Sequence, residues 1–346
     1  MPYSTKSASD AFTMKKRDKN MSTVKITVFA DPVCTWCWGS SPIFRALEYR
    51  YNGQVSINFT MTGMIEDIRT YNNRRLDIGG DIELSNRSIM KAWLEASRTH
   101  GMPVEEHKFH LFSEERRSTI PQNLAYIAAR LQAIKSKECE KELQRAARLL
   151  RRIQEATALE AMHTNDFSVL AGISAIEGYN SDDFLRMMQS REVQRAYEED
   201  RGMCRRYNIQ GTPSYLIEYK KQEVLLPGFT SYDTIERNIT QLTYGRVQPK
   251  TEDRRLECNK ENIRRYIGLH SSLYPVEIAT AFRMERISGK SALNIESYHN
   301  MPDIIEELIK EREIHITPAG NSFKIFALKE KESNTQKREE EFVGTF

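Results

Sequence analysis

The chain reads as an α/β protein whose opening strand–helix–strand and closing strand pair are separated by a long helical insertion, with a smaller α+β module near its C-terminal end. Three observations carry this. Residues 24–29 alternate apolar and polar as a strand does, then give way to Cys34-Thr35-Trp36-Cys37 and to helical spacing. A second strand pattern opens at Gly211-Thr212-Pro213. Between them, residues 84–207 are patterned almost continuously at helical period.

Taken in order, residues 1–22 form a polar tail. Lys15-Lys16-Arg17 is followed by no apolar stretch, so the tail is not a secretory signal, and Met21 is a second candidate start. After the first strand, Ala30-Asp31-Pro32 breaks the run just before the thiols. Ile43, Leu47 and Tyr51 then recur at helical spacing, with Pro42 in the first two turns, where a missing donor costs least or kinks the helix. A second strand ends near Thr62. In the insertion, Leu124, Ile127, Ala128 and Leu131 form one stripe, Leu143, Ala147 and Leu150 another, and Phe167, Leu170 and Ile173 a third. Asn165 and Ser181 fit helix N-caps; Gly101-Met102-Pro103 and Gly178-Tyr179-Asn180 are breaks. Ser214 to Tyr219 follows as a strand, Val224-Leu225-Leu226 as its hairpin partner, and residues 231–242 complete the unit. The expected divisions are therefore 23–83 with 208–245, the insertion 84–207, a C-terminal module 254–328 and a charged, disordered tail 329–346.

The dithiol carries the chemistry. Cys34 falls at or just before a helix N-terminus, where unpaired amides and the helix dipole favour thiolate, making Cys34 the nucleophile. Cys37, one turn on, is the resolving thiol. Half of a zinc site is the competing reading, but zinc takes about four ligands and Cys139, Cys204 and Cys258 are solitary. An inert buried pair is the other. An odd count of five cysteines fits one working pair and three unpaired thiols, with Cys139 and Cys204 as small buried hydrophobes. His107 and His110, at helical i, i+3 spacing with Glu106 and Glu114 nearby, hint at a metal, yet nothing supplies a defined third ligand; solvated histidines on an acidic helix is the plainer reading. Trp36, between the cysteines, should contact substrate. Trp36 and Trp38 are candidates to line an apolar groove beside the thiols, and Met61, Met64, Met90 and Trp93 for that groove or for core.

Residues 31–39, Asp-Pro-Val-Cys-Thr-Trp-Cys-Trp-Gly, resemble the active-site segment of the cytosolic, FrnE-like members of the DsbA-like branch of the thioredoxin superfamily. Gly211-Thr212-Pro213 resembles their cis-proline loop, and Met61-Thr62-Gly63-Met64 a Gly-Met segment of the same group. The resemblance covers roughly residues 24–242. It implies a thioredoxin fold interrupted by a helical insertion, a redox-active Cys34–Cys37 disulfide with Pro213 packed against it, and substrate pairing with the Thr212 backbone. The kappa glutathione transferases and chromene-carboxylate isomerases carry serine where this chain has Cys34, so that likeness is weaker. Thr35-Trp36 is also not the Pro-His pair of the periplasmic oxidant. The implied activity is cytosolic thiol–disulfide exchange on protein or low-molecular-weight disulfides, needing no metal or organic cofactor. A redox-sensitive adaptor and a glutathione-dependent isomerase are the alternatives.

In residues 254–328, Pro275 to Ala279 opens a short helix, Pro302 to Arg312 another, and residues 314–326 a hairpin: a pattern that resembles a winged helix. Asp303, Glu306, Glu307, Glu311 and Glu313 against Lys310 and Arg312 would repel phosphate. Protein docking or homodimer contact is thus expected over nucleic acid. Of 346 residues, 39% are hydrophobic, and no stretch approaches the ~18–20 apolar residues of a membrane span, so no membrane partner is expected.

Overall fold

The computed structural model describes residues 23–108, 110–249 and 254–328. The tails expected at 1–22 and 329–346 lie outside the described residues. Strand β1 (Val24–Ala30) is followed by the one-turn helix α1 (Thr35–Trp38), helix α2 (Ser41–Tyr51) and strand β2 (Val55–Met61). The expected first helix is therefore split. Gly39 and Ser40 interrupt it, and Pro42 lies in the first turn of α2, where its missing N–H goes unnoticed.

The insertion holds α3 (Ile82–His100), α4 (Ile120–Lys135), α5 (Cys139–Ala158), α6 (Phe167–Ile176), α7 (Ser181–Met188) and α8 (Arg191–Arg206). Strands β3 (Ser214–Tyr219) and β4 (Gln222–Pro227) and helix α9 (Tyr232–Thr243) return the chain to the sheet. Sheet order is β2-β1-β3-β4, with β1 parallel to β2 and antiparallel to β3, and β3 antiparallel to β4. All of β1 except Lys25 is buried, as befits a central strand covered on both faces, and its C-terminal end delivers the chain to the dithiol. The α/β class with a thioredoxin-fold sheet and a large helical insertion is what the structure has.

Three local expectations change. The described residues of 101–119 contain no helix, because Met102, Val104, Leu111 and Phe112 are drawn into the core and their backbone is paired elsewhere. Asn86 brackets Phe112, its amide donating to the Phe112 carbonyl at 2.9 Å and its oxygen accepting from the Phe112 N–H at 3.0 Å. His107 and His110 consequently share no helical face. His110 instead lies 3.6 Å from Glu83, and among the described residues no cluster of His, Cys, Asp and Glu could hold a metal. The caps shift by one residue: Asp166 and Asn180 cap α6 and α7, while Asn165 donates to the Leu111 carbonyl at 2.9 Å. Cys139 and Cys204 are half-buried rather than core.

The C-terminal residues form α10 (Lys260–Gly268), α11 (Pro275–Phe282), α12 (Met301–Lys310) and the hairpin β5 (Ile314–Ala319)–β6 (Ser322–Ala327), to whose edge Leu273 adds a single antiparallel bridge at Ile325. Helix α10 is one more than the pattern suggested. Asn259 caps it by accepting from the Asn262 N–H at 2.9 Å. Helix α11 packs on α2, and a charged cluster is buried where they meet. Glu277, fully buried, is ion-paired with Arg45 Nε at 3.1 Å and accepts from both terminal nitrogens of Arg151 at 2.8 and 3.1 Å. Burial pushes the Glu277 carboxyl up, but Arg151 and Arg45 bring it below its usual range. Glu155 joins the cluster, ion-paired with Arg151 Nε at 3.2 Å and accepting from Lys324 Nζ at 3.1 Å and the Tyr274 hydroxyl at 3.2 Å.

Candidate active site

Beyond β1 the backbone turns at Asp31-Pro32-Val33. The Asp31 carbonyl accepts from the Cys34 N–H at 3.1 Å, and its Oδ1 accepts from the Val33 N–H at 2.9 Å, closing a turn that presents Cys34 as the N-cap of α1. The Trp38 N–H donates to the Cys34 carbonyl at 3.0 Å. Both sulfurs are buried and both cysteines are free thiols.

Their acidities diverge. The Cys34 thiol is held below its ordinary range first by the hydrogen bond from Cys37, against the cost of burial, and further by a hydrogen bond with the Thr212 side chain. As a neutral thiol, its Sγ donates to the Thr212 carbonyl oxygen at 3.4 Å. Burial pushes Cys37 well up, and the neighbouring Cys34 adds to it. The more acidic thiol is thus Cys34, and the physical reason differs from the one expected: a one-turn helix has little dipole, and the partner thiol stabilises the charge.

Thr212 is half-buried and Pro213 buried, and the bond between them is cis. Gly211 and Thr212 reach the mouth of a cleft of about 1160 Å³ that also exposes Cys34 and Trp36. Of the apolar groove candidates, Met64 and Trp93 line this cleft, whereas Trp38 and Met61 are fully buried core. Tyr71, Leu76 and Ile78, from the loop joining β2 to α3, form a further wall with Cys204, whose thiol burial raises to about 11. Trp36 is half-buried, edge-on to His100 at 5.6 Å and tilted against Phe229 at 5.1 Å, so it offers one side of its indole to the cleft.

Two site residues escaped the sequence reading. Asp31, read as a strand breaker, is a fully buried carboxyl. Burial raises it against hydrogen bonds from the Met64 N–H at 2.8 Å, Asn123 Nδ2 at 2.9 Å and Thr119 Oγ1 at 3.2 Å, and its charge acts to raise both thiols. The second is His100, at the end of α3. Its Nδ1 accepts from the Met102 N–H at 3.0 Å, which leaves Nε2 as the donor to Thr35 Oγ1 at 3.3 Å. Burial lowers it to about 3, so it is a neutral strut behind the motif. A carboxyl directly before a CxxC turn is a signal the sequence does carry. No local pattern announces His100, which is 65 residues away from Thr35.

A family model described as thioredoxin matches residues 27–237. The chain is similar to the ClpXP adapter protein SpxH of Bacillus subtilis strain 168, with 21% identity over 285 residues covering 80% of this chain and 88% of that one. The SpxH of Halalkalibacterium halodurans is 24% identical over 202 residues, covering 58% and 61%. Among solved structures, a protein of Nitrosomonas europaea provisionally described as a protein disulfide isomerase superposes with TM-score 0.52 at 17% identity, covering 65% of this chain and 99% of that one. The cytosolic disulfide reductase DsbM of Pseudomonas aeruginosa gives 0.47 at 17%, covering 64% and 99%.

Proposed function

This chain belongs to the thioredoxin family, and we propose that within it the protein is a cytosolic thiol–disulfide oxidoreductase or isomerase acting through Cys34 and Cys37. The observation that carries the reading is a Cys34 thiol that lines the cleft beside Thr212 and is lowered by a hydrogen bond from Cys37, whose own thiol is buried and raised. The Cys34 thiolate attacks one sulfur of a substrate disulfide, forming a mixed disulfide and expelling the other sulfur as thiolate. Cys37 then loses its proton to the medium and attacks the Cys34 sulfur, which releases the second substrate thiolate and leaves a Cys34–Cys37 disulfide. Two electrons have passed to the substrate. The reverse order oxidises a dithiol. Trp36, Thr212 and Pro213 shape the substrate groove, and protein segments or small thiols such as glutathione fit the reaction without a metal or organic cofactor.

The test is trapping. Cys37→Ser should accumulate mixed disulfides through Cys34, and Cys34→Ser should accumulate none. Adducts persisting in the Cys34 variant would move the chemistry to another thiol.

A second reading is favoured by the name of the SpxH relatives: an adaptor that holds a client protein, with the thiols as a redox switch. Residues 254–328, whose helices and hairpin we read as winged-helix-like, would then dock protein rather than nucleic acid, because α12 carries Glu306 and Glu307 with their cations already engaged by carboxylates. Reduction of insulin or of a small disulfide at a catalytic rate separates the two.

A further inference from the structure

Helix α1 is a single turn, too short to hold its own orientation, so the facing of Cys37 toward Cys34 must be imposed by what grips its side chains. One grip is Trp38, the residue after Cys37. Its indole is buried, Nε1 donates to the Pro103 carbonyl at 2.9 Å, and its ring meets Tyr274 edge-on at 5.8 Å. The Arg151 guanidinium lies 5.3 Å from the centre of each of these two rings. Arg151 is in turn fixed by a bidentate bond to Glu277, which also accepts from the Tyr274 N–H at 2.9 Å and so closes the capping box of α11. A run of direct contacts thus leads from the C-terminal helix α11 to the residue beside the resolving thiol. Buried ion pairs are seldom the most stable way to fill a core, which makes a geometric role the better account of this one.

We propose that Glu277 is a positioning residue for the dithiol: through Arg151 it holds Trp38, and thereby sets the approach of Cys37 to Cys34. The inference rests on the thiol–disulfide reading. It makes residues 254–328 part of the machinery that builds the active site, and gives anything that shifts α11 a direct route to the rate of the second exchange step.

The experiment uses the full chain with glutathione joined chemically to Cys34, and follows release of the glutathione by Cys37. Glu277→Gln keeps the capping acceptor but withdraws the charge that aligns Arg151; Arg151→Lys keeps the charge but cannot both grip two carboxylate oxygens and cover two rings. Each should slow release about fivefold to tenfold, a modest share of what misalignment of a reacting pair can cost. The high-pH plateau rate of Cys34 alkylation by iodoacetamide, reached once Cys34 is fully thiolate whatever its hydrogen bond from Cys37, should stay within about twofold of the parent rate, a separation that general loosening would not produce. If Glu277→Gln does not fold, Arg151→Lys carries the test. Parental release from either folded variant, or loss of fold in both, overturns the assignment. A parent chain that fails to release the adduct sinks the exchange reading itself.

Discussion

At the scale of single residues, the two thiols share a backbone turn and differ in environment, and the difference is measurable. Cys34 is lowered by the hydrogen bond from Cys37, whereas Cys204 is raised by burial and Cys258, exposed as a residue, by neighbours that partly desolvate its thiol. Iodoacetamide at neutral pH should therefore modify Cys34 before any other cysteine, and the rate should reach half its plateau at a lower pH than for Cys258; peptide mapping after brief labelling checks it, and first labelling at Cys37 would reverse the roles. His100 supplies a second prediction. Its folded pKa of about 3 lies below the unfolded value near 6.5, so between those limits the unfolded chain binds a proton that the folded chain refuses. Stability then rises with pH in that window and is lost as pH falls below about 6.5, by up to roughly 1.4 kcal/mol per unit. The urea midpoint should drop between pH 7.5 and 5.5, and the drop should be smaller in His100→Asn. Cys34, Cys37 and the Gly-Thr-Pro loop were legible because their chemistry is written in adjacent residues. His100 was not, because only the fold brings it to Thr35.

At the scale of elements, α1 shows how little a short helix owns of its geometry. The sequence predicts one helix through Tyr51, yet the chain breaks at Gly39 and Ser40, where Ser40 Oγ is shared between the Trp36 carbonyl at 2.8 Å and the Tyr215 hydroxyl at 2.7 Å. Gly39 has an ordinary helical φ of −62°, so glycine is needed there for space and not for conformation. A Cβ at this position would come within 2.4 Å of the His100 ring. Gly39→Ala should push that ring away from Thr35 and Trp36, costing about 1–3 kcal/mol of stability and slowing Cys34 alkylation. An alanine variant with parental melting and labelling would mean that the ring moves freely. The caps at Asp166 and Asn180 missed their expected places by one residue for the same kind of reason. Asn165 and Ser181 have the right chemistry, and tertiary demand on Asn165 decides between neighbours that propensity cannot separate.

At the scale of the whole molecule, the pattern marks residues 254–328 as a unit while the packing ties it to the rest. Periodicity reports which face of a helix is apolar, and cannot report that Glu277 will be buried against arginines from α2 and α5. That junction has a thermodynamic signature. Pulling the C-terminal residues away would part Glu277 from Arg45 and Arg151 and open to water the apolar faces that α11 and α2 bury against each other, so neither part should unfold without the other. The sequence provides independent reporters. All three tryptophans, Trp36, Trp38 and Trp93, precede residue 254, and the exposed Cys258 is the one cysteine beyond it. In a chain whose other four cysteines are serine, tryptophan emission and a dye on Cys258 should follow a single guanidinium transition with the same midpoint and slope. A dye transition that comes first would mean that the C-terminal residues let go on their own, and that Trp38 keeps its place without Glu277.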